Sequence, residues 1–206
     1  MSRRKKMFIL VAAVLAAALL LFLALYLYYT NSDWGFSRKV SDEEAERRMS
    51  LVHTAENWLG KNEDDGSHRE IIDLYNTLNP LPMDYTMLYT DSWCAAFVTA
   101  SAMKAGLTDM IPPECGCERQ IGLLQDLGIW QEQDTFFPQP GDLIYYAWDD
   151  DPRGDCVGWA DHVGIVVATR WPFIKVIEGN KDDRVDYRIV SIWNPTIRGY
   201  GTPDYR

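Results

Sequence analysis

Basic side chains are in short supply: 20 Lys and Arg stand against 30 Asp and Glu in 206 residues, a net charge of −10. Arg3, Arg4, Lys5 and Lys6 all precede the first acid, Asp33. With those four set aside, 16 bases face 30 acids and the rest of the chain carries −14. Phosphate contacts are made chiefly by Lys and Arg, so a nucleic-acid partner is not expected. Cysteine is scarce too, with four residues, Cys94, Cys115, Cys117 and Cys156, and no C-x-x-C pair. If one of them is a working thiol, at most one internal disulfide remains, which excludes a disulfide-stapled scaffold. No internal repeat is visible. The aromatic and apolar content, 47% in the hydrophobic set, excludes disorder over the whole length.

Charge is missing altogether from Met7 to Tyr29, 23 residues. At about 1.5 Å per residue the run is long enough for a bilayer core. It ends in Tyr26-Leu27-Tyr28-Tyr29 and has no A-x-A cleavage pattern behind it, unlike a removable signal peptide. The expectation is four segments: a cytoplasmic basic segment over 1–6, a single-pass transmembrane anchor over 7–29, a tether over 30–41 and an extracytoplasmic domain over 42–206. The membrane is then a partner through that helix.

Within the domain, Ser41-Asp42-Glu43-Glu44 reads as a capping box, and Ala45, Met49, Val52, Ala55 and Leu59 follow at helical spacing. Ser67-His68-Arg69-Glu70 repeats the box before Ile71, Ile72, Leu74 and Tyr75, and Asn79-Pro80 stops that helix. A third helix is predicted from beside Asp91 or Ser92 to Gly106, and a fourth from Glu118 to Leu127. After Pro140-Gly141 the texture changes to short β-branched and aromatic runs: 142–148, 162–169, 173–178, 185–192 and 197–200. Helices first and strands second predict an α+β domain with N-terminal helices packed on an antiparallel sheet.

Cys94 stands at a predicted helix start, where unpaired amides and the helix dipole favour a thiolate. His162 opens an apolar strand and has the right chemistry to take a thiol proton near neutrality. Glu178 ends the next strand, so an antiparallel hairpin turning at Trp171-Pro172 sets it beside His162, where a carboxylate orients an imidazole. Asn180 either shares that role or binds substrate. His53 and His68 fall in predicted helices and read as structural.

Four blocks occur in order: Asp91-Ser92-Trp93-Cys94-Ala95-Ala96-Phe97, Pro140-Gly141-Asp142-Leu143-Ile144, Asp161-His162-Val163-Gly164-Ile165-Val166 and Ile177-Glu178-Gly179-Asn180. Together they resemble a CHAP domain, the cysteine, histidine-dependent amidohydrolase/peptidase family, over about Met83 to Tyr200. The resemblance implies a papain-like fold and hydrolysis of amide bonds in bacterial peptidoglycan, as an amidase or endopeptidase. It implies Cys94 as nucleophile, His162 as base and Glu178 as orienting acid, with Asn180 at the accompanying polar position. Many members carry Gln before the nucleophile, whereas this chain has Trp93. Only the Cys94 amide is therefore assigned to an oxyanion hole, with Tyr89 and Ser92 as further candidates. Trp93, Tyr89 and Trp159 are candidate substrate-binding residues.

No cofactor and no metal are expected. The acidic run Asp149–Asp155 lacks EF-hand spacing and contains Arg153, so it reads as a solvated loop rather than a calcium site. Cys115-Gly116-Cys117 with Cys156 has the wrong spacing for structural zinc. Two rival functions remain: a non-catalytic wall- or partner-binding module of the same fold, and a papain-like protein protease.

Overall fold

The computed structural model describes residues 3–31, 34–132, 136–148 and 158–206. The chain divides into two compact units, Met1–Trp34 and Gly35–Arg206. The first is helix α1 (Arg3–Asn31). α1 covers the segment expected to span a membrane, but that expectation is overturned: among the described residues no helix is long and apolar enough to cross one. Membrane anchorage through this helix falls with it.

Among its described residues the second unit carries four α-helices, α2 (Asp42–Glu56), α3 (Arg69–Tyr75), α4 (Cys94–Ala105) and α5 (Cys117–Asp126). Six strands follow among the described residues, β1 (Trp130–Gln131), β2 (Leu143–Tyr146), β3 (His162–Arg170), β4 (Phe173–Lys181), β5 (Arg184–Ser191) and β6 (Ile197–Gly201). They form one sheet in the order β1-β6-β2-β3-β4-β5, antiparallel throughout. The α+β class with an antiparallel sheet is therefore observed.

Ser41 caps α2 as its motif predicts, its hydroxyl accepting from the Glu44 amide at 3.1 Å. Glu44 turns inward instead of completing the box. It pairs with Arg48, which also meets Asp142 at 2.7 Å, and this buried trio ties α2 to the entry of β2. The second box does not form. Ser67 Oγ accepts from the Asn62 amide, and His68 occupies the N-cap of α3 with both ring nitrogens on backbone carbonyls. The loop 62–67 offers closer donors than the helix start, so the serine closes the loop.

Strand alternation divides the sheet into two faces. Leu143, Tyr145, Val163, Ile165 and Ile177 join the helices in the larger core. Ile144, Tyr146, Val166, Ile174, Val176 and Val190 form a smaller cluster, against which Phe136 and Phe137 pack. α4 is central: every residue from Cys94 to Ala102 is buried, and the helix packs on α2, α3, β3 and β4. Its close seat on β4 requires Gly179, where a Cβ would fall 2.4 Å from Phe97 Cβ and 2.9 Å from Trp93 Cζ3. That approach carries the N-terminus of α4 to the β3–β4 hairpin.

Candidate active site

Cys94 is the first residue of α4, so its amide belongs to the group that a helix leaves without intrahelical partners. β3 begins at His162, which pairs with Tyr146 across β2. β3 and β4 then form the predicted hairpin, closing at Arg170 and Phe173. Glu178 lies one pleat from His162 on the same face. Its side chain passes over Gly164, where a Cβ would stand 2.7 Å from Glu178 Cγ and 2.5 Å from Val176 Cγ1. Glycine at 164 clears the path for the carboxylate, and Glu178 Oε2 meets His162 Nε2 at 3.1 Å.

The hairpin thus brings Glu178 to His162, and the start of α4 sets Cys94 close enough to the same imidazole for each to shift the other's protonation. The Cys94 sulfur also lies 3.5 Å from that of Cys117, the first residue of α5. The electrostatics follow from these contacts. The Cys94 thiol is held well below its usual value, first by the hydrogen bond from Cys117, against burial, and then by His162 and the Val163 amide. Cys117 is pushed well above the usual thiol value, first by Cys94 and then by burial, so it keeps its proton. Burial disfavours a charged His162, but Cys94 and Glu178 together outweigh it and raise the imidazole to about 9. Glu178 is buried, which works against its charge, yet His162 and Arg188 hold it below the usual carboxylate range. The favoured charge distribution is thiolate, imidazolium and carboxylate.

Arg188 was not among the residues singled out from sequence. Its Nε donates to both Glu178 oxygens, at 2.8 and 2.9 Å, and its guanidinium lies over Trp148, 5.1 Å from the ring centroid. Trp148 stacks on Tyr146 at 4.6 Å. Asp161 fixes that stack, since its carboxylate accepts from the Trp148 amide while its own amide donates to the Tyr146 carbonyl. A cleft of about 240 Å³ opens here, lined by Trp148, His162, Asn180, Lys181, Asp182 and Arg188.

Asn180 lines that cleft but does not bond to His162 in the manner of Glu178. Its φ of +56° sits where the β4–β5 register shifts, a left-handed position that asparagine tolerates better than most residues. Trp93 is fully buried, and its indole N–H donates to Glu63, bracing the start of α4 from within. Tyr89 is exposed, with its hydroxyl donating to Asp73 and its carbonyl facing His68. Ser92 is exposed, and Trp159 is 73% exposed. The acidic run 149–155 and Cys156 lie outside the described residues. Among the described residues there is no cluster of His, Cys, Asp and Glu that would hold a metal ion.

No family model matches the chain. No curated protein matches it either. Among solved structures, the crystal structure of Ly7917 is similar at 14% identity and a TM-score of 0.42, over 76% of this chain and 62% of that one. The crystal structure of Ly7917 with the hydrolyzing product of MDP is similar at 11% identity and a TM-score of 0.44, with the same coverage. The chain thus spans less than two thirds of the length of either neighbour, and a likeness at these values carries no argument about activity.

Proposed function

We propose that the chain is a cysteine-dependent amide hydrolase acting on bacterial peptidoglycan, through Cys94, His162 and Glu178. The observation that carries the reading is the 3.1 Å contact of His162 Nε2 with a buried carboxylate, on an imidazole that is electrostatically linked to a thiol at a helix start. A core cysteine needs no such arrangement, whereas a nucleophile needs both a base and a group to orient it. The substrate class rests on the four sequence blocks that resemble CHAP domains. Peptidoglycan lies outside the cytoplasm, and the domain acts there.

In this reaction the Cys94 thiolate attacks the amide carbonyl carbon, and the oxygen takes the charge beside the Cys94 amide. The His162 imidazolium protonates the leaving amine as the carbon–nitrogen bond breaks, which leaves a thioester. The now neutral imidazole removes a proton from water, whose oxygen attacks the thioester carbon, and the thiolate departs. Glu178 holds the ring throughout and balances its charge.

The test is digestion of purified peptidoglycan, with casein in parallel, and mass spectrometry of the released fragments. The expected result is cleavage within the stem peptide or at its junction with the sugar, and none of casein. Cleavage of casein alone would make the chain a protein protease. Cleavage of neither would leave a binding module.

A further inference from the structure

Cys117 has no part in the proposed reaction, yet its sulfur stands 3.5 Å from that of the nucleophile. The two cysteines are 23 residues apart and come from different helices, each as the first residue, so the folded core alone brings them together. Both are free thiols. Both are nearly buried, Cys94 4% and Cys117 8% exposed. Cys115 is two residues away but belongs elsewhere, beside Tyr75 and Glu114.

We propose that Cys94 and Cys117 form a peroxide-responsive pair that closes to a reversible disulfide. The bond takes the nucleophile out of action and shields it from irreversible oxidation. The chemistry needs a hydroperoxide as oxidant. The Cys94 thiolate attacks the distal peroxide oxygen and the oxygen–oxygen bond breaks. Cys94 is oxidised by two electrons to a sulfenic acid, and the departing oxygen takes a proton to leave as water or an alcohol. The Cys117 sulfur then attacks the Cys94 sulfur, the sulfur–oxygen bond breaks, and the Cys117 proton leaves with the hydroxyl as a second water. The sulfurs need close by only about 1.5 Å to reach the usual bond length of about 2.05 Å. The charge states suit the order of events, since Cys94 is the ionised partner and Cys117 the protonated one.

The consequence for activity rests on Cys94 being the nucleophile, but the bond itself is read without turnover. Purified full-length protein is treated with hydrogen peroxide, alkylated, digested without reductant and examined by mass spectrometry. A peptide joining Cys94 to Cys117, lost on dithiothreitol, is the expected result. A link to Cys115, or oxidation of Cys94 with no link, overturns the pair. Cys117→Ser, a near-isosteric change, should accumulate a dimedone-reactive Cys94 and then sulfinic acid that dithiothreitol does not reverse. Cys115→Ser should behave as the unaltered chain. If peroxide-treated Cys117→Ser recovers its free Cys94 thiol as fully as the unaltered protein, the protective role is wrong. If the reduced protein proves inactive on peptidoglycan while the link forms, the proposed function fails and the pair stands.

Discussion

Arg188 and His162 share one carboxylate. Arg188 Nε spans both oxygens of Glu178 at 2.8 and 2.9 Å, and Oε2 is also the atom that His162 Nε2 meets at 3.1 Å. A buried carboxylate with two cationic partners stays ionised and cannot swing, so the imidazole it orients is held in one position. Arg188→Met keeps an unbranched side chain but removes the guanidinium, and with it the positive charge beside Glu178 and the contact over Trp148. A hydrogen bond to a charged group contributes about 1.5–3 kcal/mol, so kcat/KM should fall about tenfold or more, with Arg188→Lys recovering part of it. Steady-state kinetics on a soluble muropeptide checks this, and an unchanged rate for Arg188→Met would make Arg188 a bystander.

Cys94→Ala deletes one sulfur and should abolish hydrolysis while leaving the fold intact, as read by circular dichroism. It should also lower the His162 pKa, because the thiol is one of the groups that raise it. Cys115→Ala should keep most activity. Lysis by folded Cys94→Ala protein would end the thiol mechanism.

Much of this site was legible in the sequence because it is built from local rules. A helix start favours a thiolate, and a hairpin with a short turn sets the end of one strand beside the beginning of the other. Those two rules bring Cys94, His162 and Glu178 into view before any coordinates. Arg188 stayed hidden because its role depends on the β4–β5 pairing, whose register shifts between Glu178 and Lys181. A shift of one residue would have turned it to the other face. Cys117 stayed hidden because its distance from Cys94 is set by how α5 packs on α4. Trp93 was a candidate for substrate binding, whereas it is fully buried where α4 sits tightly on Gly179. The Ser67 box failed for the opposite reason, a nearer loop amide winning the hydroxyl.

Gly164 should tolerate no side chain. A Cβ there would lie 2.5 Å from Val176 Cγ1, 2.7 Å from Glu178 Cγ and 3.1 Å from the Ile177 carbonyl oxygen. Overpacking in a filled core costs about 1–3 kcal/mol, so Gly164→Ala should lower Tm by several degrees and displace Glu178, reducing kcat/KM further than the stability loss explains. Gly35→Ala, where a Cβ meets nothing within 4 Å, is the matched control. Equal Tm values for the two variants would mean that the hairpin yields freely and that Gly164 does not clear the path.

The pH profile weighs base against acid. His162 is raised from 6.5 to about 9 despite its burial, by Cys94 and Glu178. Its charged form therefore stabilises the fold fully below about 6.5, and that contribution is lost as pH rises through about 9. The same proton is the one delivered to the leaving amine, so kcat/KM should hold level and then fall as pH passes about 9. Glu178→Gln removes one of the raising partners but leaves an amide oxygen to accept from the imidazole. Its alkaline limb should move downward, and its rate should fall by less than that of His162→Ala, which loses proton transfer in both halves of the reaction. Asn180→Gly should cost least, since glycine keeps the left-handed backbone at φ +56° and only a cleft-lining amide is lost. Profiles of kcat/KM for the three variants on one muropeptide decide the ranking. An alkaline limb that stays in place in Glu178→Gln, together with a severe loss in Asn180→Gly, would transfer the orienting role to asparagine.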